Sequence, residues 1–171
     1  MEKVSHETLE TMLKDYKPLF RFLKSAEYER VLKAYGVFQV PTNWFYRGQG
    51  EFGHFADTER VLCFNQLTYV LLAESFTRGQ IPNAPKLSLQ EVYKLQKEST
   101  VLVEGRVQYK KRIISTSPFK GKLEIVNSFT KKNGEILFLD IAYDFEGGKA
   151  TGESRIALLL RDLETVCGMD F

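Results

Sequence analysis

VLCFNQLTYVLLA, Val61 to Ala73, carries almost no polar side chain. A polar run, Asp57-Thr58-Glu59, precedes it, and neither Pro nor Gly interrupts the chain before Gly79. That pattern predicts a helix from Asp57 to Thr77, with Asp57 capping its first free N–H groups and Gly79 as its stop. At ~1.5 Å per residue it is about 30 Å long. Its apolar residues cover most of the circumference, so it is expected to be buried on several sides. The polar exceptions are Asn65, Gln66 and Thr68. A buried Asn without partners costs about 1–3 kcal/mol, which makes Asn65 the most informative of the three.

The segments before this helix read as mostly helical. Over residues 5 to 35, Leu9, Met12, Leu13 and Tyr16 fall at helical spacing after a cap at Ser5. Pro18 breaks the run, and a second helix is expected from about Leu19 to Ala34, with Phe20, Leu23, Tyr28, Val31 and Leu32 on its apolar side. Gly36 to Val40 reads as a short strand ended by Pro41. PTNWFYRGQGEFGHFA, residues 41 to 56, follows with three Gly, the only Trp, and Arg47 and His54 among aromatics. It reads as a structured loop, the kind of segment that often carries function.

After the helix the chain turns to strands. Ser88 caps a short helix over Gln90 to Lys97. From Val101 to Ile113 apolar and charged residues alternate, as in a strand with one buried and one wet face. Lys122 to Lys131 is the next strand, Lys132-Asn133-Gly134 a hairpin turn, and Glu135 to Phe145 a third strand, apolar on both faces. Gly147-Gly148 leads into a fourth, Ala150 to Leu160. The order predicts an α+β chain: a curved antiparallel sheet wrapped round one long buried helix, the hotdog arrangement, with extra N-terminal helices. The 171 residues suit a single domain, residues 1–35 being a helical extension. The unpaired sheet edge argues for a homodimer or higher assembly.

Composition excludes several function classes. A net charge of +2 leaves no nucleic-acid footprint. No apolar run reaches the ~18 residues of a membrane span, and the polar N-terminus MEKVSHETLE lacks a signal-peptide core, so a cytoplasmic setting is expected. Two cysteines, Cys63 and Cys167, make no disulfide framework. His6 and His54 lie in no metal-ligand spacing, no Gly-x-Ser-x-Gly elbow is present, and the glycines match no phosphate-binding fingerprint. Neither a metal nor a cofactor is expected. Thirteen Phe and eight Tyr suit a large apolar interior.

The start of the buried helix carries the candidate chemistry. Its free N–H groups and dipole can polarise a carbonyl oxygen. Thr58, Asn65 and Leu72 fall on one helical line, so Asn65 sits about 10 Å along the axis from the helix start at ~1.5 Å per residue. A neutral amide there can hold a thioester carbonyl or a water, or it can bond a neighbouring loop. The basic run Lys110-Lys111-Arg112 reads as a solvated strand end, or as a receptor for the phosphates of coenzyme A or the acidic face of a carrier protein.

GHFADTERVLCFNQLTY, Gly53 to Tyr69, resembles the FcoT-like family of long-chain fatty acyl-CoA thioesterases. Further matches fall at Tyr35-Gly36 with Phe38, at Ser88-Leu89 with Tyr93, and at Thr151-Gly152-Glu153. The resemblance implies a hotdog fold, a homodimer or higher oligomer, and fatty acyl-CoA or acyl carrier protein thioesters as substrates. The family's proposed polar set is two tyrosines and two asparagines. Asn65 matches the second asparagine and Tyr16 the first tyrosine. The second tyrosine falls at Phe45 or Tyr46. The first asparagine is replaced by Ala56, a departure from the hydrolase pattern. His54 and Glu59 match the family and are the acid–base groups near the helix start. Phe45, Arg47, Ala56, Thr58 and the basic run complete the expected substrate-binding set. Related members are thought to add glycine to the β-carbon of an α,β-unsaturated acyl carrier protein thioester, in isonitrile lipopeptide pathways. Hydrolysis, glycine addition and non-catalytic acyl binding are therefore the readings the sequence supports.

Overall fold

The computed structural model describes residues 1–30, 32–42 and 55–160. Among them the chain runs β1 (Glu2–Lys3), α1 (His6–Leu13), β2 (Leu23–Glu29), β3 (Lys33–Phe38), α2 (Asp57–Thr77), α3 (Leu89–Glu98), β4 (Thr100–Tyr109), β5 (Phe119–Lys131), β6 (Ile136–Phe145) and β7 (Ala150–Leu159). The described strands form one antiparallel sheet in the order β1-β2-β3-β5-β6-β7-β4. The helix α2 packs on it against β2, β3 and β5. This is the hotdog arrangement, with α2 as the element the sheet encloses.

The helix has the bounds that its sequence predicts, and its burial follows the same logic. Cys63, Phe64, Gln66 to Thr68 and the run from Val70 to Phe76 are all buried. Gly79 ends it at φ 64, its N–H bonded to the Phe76 carbonyl. The start differs from expectation. The N-cap is Ala56, which has no side-chain acceptor, and Asp57 lies one residue inside. Glu59 takes over part of the capping, its carboxylate accepting the Ala56 N–H at 3.2 Å.

The buried amide of the helix is Gln66, not Asn65. Gln66 is 0% exposed. Its Oε1 accepts the backbone N–H groups of Phe22 and Leu23, each at 3.0 Å, and its Nε2 donates to the Phe20 carbonyl at 2.6 Å. A buried amide is tolerated when its polar atoms are satisfied, and here that need ties the N-terminal segment to the helix. Asn65, one residue earlier, is only half-buried.

The second N-terminal helix is absent: residues 23 to 38 form the β2–β3 hairpin instead. Two features disguise it in the sequence. A bulge between Leu23 and Ser25 breaks the alternation of the apolar side chains. The turn holds Leu32 at φ 59, with no Gly, Asn or Pro to announce it. The predicted first helix and the Ser88-capped helix are both present; Ser88 and Glu91 cap α3 reciprocally.

β4 also departs from the alternation. Val101, Leu102 and Val103 are each about half exposed, at 53%, 51% and 53%, because β4 is an edge strand with a bulge between Leu102 and Glu104. The strand ends at Tyr109 rather than Ile113. β6 is covered on both sides as expected: its inner residues reach the core, and on the outer face Phe138 stacks on Phe129 at 5.0 Å.

Aromatic rings fill the space where the chain enters α2. Phe55 sits 5.1 Å from Phe119 and 5.3 Å from Phe145, and Phe38 lies 5.6 Å from Phe119. Gly36 and Gly121 face each other across β3 and β5 beneath this cluster. A Cβ on Gly121 would come within 2.7 Å of the Phe145 ring, so the rings lie directly on the sheet backbone. No helix among the described residues is long and apolar enough to cross a membrane.

Candidate active site

The first three turns of α2 keep one flank open. Thr58 is exposed, and Val61, Leu62, Asn65 and Tyr69 are half-buried, while Cys63, Phe64, Gln66, Leu67 and Thr68 are buried. The open positions recur at three- and four-residue intervals and so form one stripe. From Thr58 to Tyr69 the stripe runs about 16 Å at ~1.5 Å per residue. The helix is therefore not enclosed all round within this chain. Asn65 lies in the middle of the stripe, and its amide has no hydrogen-bond partner among the described residues.

Tyr16 reaches this flank. Its phenol meets that of Tyr69, one turn beyond Asn65. Burial pushes both phenols above the ordinary tyrosine range; their contact raises Tyr16 further and draws Tyr69 back down. The backbone of Tyr16 is pinned on both sides: its N–H donates to the Leu13 carbonyl and its own carbonyl accepts Arg21 Nε at 2.9 Å. Tyr69 is a residue the sequence reading missed. Its signal is the four-residue step from Asn65, visible once the helix is drawn as a wheel.

At the helix start Glu59 is 2% exposed and engaged. Besides Ala56 N–H its carboxylate accepts the Ser115 hydroxyl at 2.9 Å. The carbonyl of Ser115 in turn accepts Val40 N–H, and that of Ile113 accepts Phe55 N–H. Glu59 thus fastens residues 113–115 to the mouth of the helix. One turn on, burial pushes the Cys63 thiol well up, with Glu59 adding to it, so Cys63 is a poor nucleophile.

A second network faces β4 and β6. The Asp57 carboxylate accepts Arg60 Nε at 2.7 Å and the Tyr109 hydroxyl at 2.8 Å. These donors, Arg60 first, hold its carboxyl below the usual range. Arg60 also donates to the Tyr143 oxygen at 3.2 Å, and Tyr143 donates to the Arg106 carbonyl at 2.8 Å. Gly152 leaves the room for that phenol: a Cβ there would lie 2.1 Å from the Arg106 carbonyl oxygen and 2.3 Å from the Tyr143 hydroxyl.

The Tyr109–Asp57 bond places the basic run beside the helix start. Lys110, Lys111 and Arg112 are exposed and, with Phe55, Tyr109 and Ile113, line a surface concavity of about 400 Å³. The backbone N–H groups of Lys110 and Lys111 both donate to the Lys149 carbonyl, which fixes the run's course. The structure therefore places Ala56, Thr58, Glu59 and the basic run at one end of α2, Asn65 on its open flank, and Tyr16 against Tyr69, four residues beyond Asn65. Phe45, Tyr46, Arg47 and His54 lie outside the described residues. Among the described residues no group of three or more His, Cys, Asp or Glu could hold a metal.

A model of the FcoT-like thioesterase domain matches residues 11–158. A (2E)-enoyl-[ACP] glycyltransferase of Mycobacterium marinum is 29% identical over 146 residues, covering 81% of this chain and 77% of its own. Two Pseudomonas aeruginosa structures share the fold. A conserved protein aligns at TM-score 0.55 and 11% identity, covering 88% of this chain and 98% of its own. A thioesterase crystallised as a mutant aligns at 0.54 and 11%, covering 91% and 94%.

Proposed function

We propose that this chain, which belongs to the FcoT-like thioesterase family, is an enzyme acting on fatty acyl thioesters. The observation that carries the reading is the open flank of α2, where the Asn65 amide, unpartnered among the described residues, lies within a stripe otherwise made of Thr58, Val61, Leu62 and Tyr69. An acyl chain fits the apolar part of such a stripe, and the amide can donate to the thioester carbonyl. The basic concavity formed by Lys110, Lys111 and Arg112 receives the phosphates of coenzyme A or the acidic face of an acyl carrier protein. On the sequence alone Tyr46 and His54 are assigned catalytic roles, His54 as the base, and Phe45 and Arg47 substrate contacts. Glu59 holds the mouth together, and Thr58 and Ala56 border it.

Two chemistries use the same arrangement. In hydrolysis a water oxygen bonds to the carbonyl carbon, the C–S bond breaks, and the sulfur leaves with a proton. The second reading is favoured by the Mycobacterium marinum relative and by Ala56 in place of the family asparagine. There the glycine amine gives up a proton to the base and bonds to the β-carbon of a 2-enoyl thioester. Charge collects on the carbonyl oxygen, a proton returns at the α-carbon, and the C–S bond stays intact.

The assembly we propose is a homodimer in which β4 of each copy covers the other. An antiparallel pairing centred on Gly105 sets Val101 opposite Tyr109, Val103 opposite Val107 and Glu104 opposite Arg106. Two of these pairs are apolar and one joins opposite charges, while Leu102 falls opposite Gln108. A cytoplasmic enzyme suits these substrates.

The deciding experiment is mass spectrometry of the protein with 2-enoyl carrier protein thioesters, with and without glycine, beside saturated acyl-CoAs. Glycine-dependent mass gain on the carrier protein establishes addition. Free fatty acid independent of glycine establishes hydrolysis. Retained acyl ligand with neither product means a binding protein and overturns the enzymatic reading.

A further inference from the structure

We infer that Tyr69, beside Asn65 on the open flank of α2, is a second hydrogen-bond donor to the substrate carbonyl oxygen, and that Tyr16 is a positioning residue acting through it. This rests on the thioester reading above and assigns a group that neither the sequence nor the family set supplies.

Helix geometry puts the two side chains side by side. Residues four apart on a helix have Cβ atoms about 5–6 Å apart, close enough for an amide and a phenol to converge on one atom. Both are half-buried, while the residues between them, Gln66 to Thr68, are buried. Neither the Asn65 amide nor the Tyr69 hydroxyl hydrogen has an acceptor among the described residues. A half-buried phenol ordinarily finds a partner for its O–H, so an unspent donor here is available to a ligand.

The meeting of the two phenols supplies the division of labour. Tyr69 lies on the open flank of the helix and Tyr16 comes to it from another segment, so in the proposed arrangement Tyr16 donates to the Tyr69 oxygen and leaves the Tyr69 hydrogen for the substrate. Tyr16 is itself fixed through its backbone to Leu13 and Arg21, so it can hold the Tyr69 ring in one orientation. Neither phenol loses its proton. Asn65 and Tyr69 both donate to the oxygen on which charge collects, whether a tetrahedral oxyanion forms in hydrolysis or an enolate in glycine addition.

The test is a double-mutant cycle with Tyr69→Phe and Tyr16→Phe, each checked for folding by circular dichroism. Steady-state kinetics use whichever thioester the wild type turns over. Removing one such donor lowers kcat by roughly 100-fold, with KM changed far less. Tyr16→Phe lowers kcat by a smaller factor, and the double variant falls no further than Tyr69→Phe alone, because Tyr16 works only through Tyr69. A folded Tyr69→Phe with wild-type kcat overturns the inference. So does a Tyr16→Phe loss that persists undiminished in the Tyr69→Phe background. A wild type that neither releases acid nor takes up glycine overturns the thioester reading itself, which separates that failure from this one.

Discussion

Asn65 and Gln66 are adjacent amides with opposite fates, and the difference is one of helical phase. Gln66 points into the protein and answers three backbone groups of residues 20–23. Asn65, turned by one residue, looks out along the open flank. Gln66→Ala removes the bonds it makes to two buried N–H groups and a carbonyl. It is expected to cost about 3 kcal/mol in urea denaturation, while Asn65→Ala leaves stability nearly unchanged and removes activity. A Gln66→Ala protein as stable as wild type would show that those groups find other partners. Ala56 offers the reverse experiment. At an N-cap with extended backbone (φ −85, ψ 166), Ala56→Asn supplies the missing side-chain acceptor and is expected to add about 1 kcal/mol. Whether it also shifts the balance between hydrolysis and glycine addition is read in the same mass spectra.

Among the elements, α2 was the most legible, because a long apolar run between a polar start and a glycine leaves little choice. The strands from β5 to β7 were nearly as plain, since their turns carry Asn133-Gly134 and Gly147-Gly148, all at positive φ. The β2–β3 hairpin was not legible: its bulge and its Leu32 turn remove both signals by which a strand pair is recognised. The candidate site was legible in part. Asn65 and the basic run stand out as candidates in the sequence, but the meeting of Tyr16 with Tyr69, across 53 positions of chain, is a product of the fold. Between elements, Gly152 sets how closely Tyr143 crosses β7. Gly152→Ala drives a Cβ into the Arg106 carbonyl, so a loss of about 3 kcal/mol or more is expected, with the Arg60–Tyr143 bond broken. An unchanged melting temperature would mean that β4 and β7 can part at no cost.

For the whole molecule, pH acts from both ends. Asp57 and Asp140 are held low by Arg60 and Arg155, so their contribution is complete above about pH 4 and disappears as pH falls through their lower folded values. The buried phenols of Tyr16, Tyr69 and Tyr143 are held high. Above about pH 10 the unfolded chain releases those protons and the folded one does not, so stability falls again. Urea midpoints measured from pH 3 to 11 are expected to trace a plateau with losses at both ends; an unchanged midpoint at pH 11 would contradict the tyrosine burial. The proposed dimer is tested at this scale too. Val101→Glu with Val103→Lys is expected to halve the mass seen by light scattering, and a wild type that is already monomeric removes the β4 interface.

The first forty residues are stitched into the sheet rather than laid upon it: β3 pairs with β5 along six positions, and Gln66 grips the approach to β2. Trimming them as a dispensable leader would strip β5 of its neighbour and present a bare template of backbone donors and acceptors to any passing strand. Such a shortened polypeptide should gather into insoluble fibres or inclusion bodies. The same stitching makes the severed pieces natural candidates for reassembly: a peptide of residues 1–40, supplied separately, has a waiting groove whose hydrogen bonds prescribe its alignment.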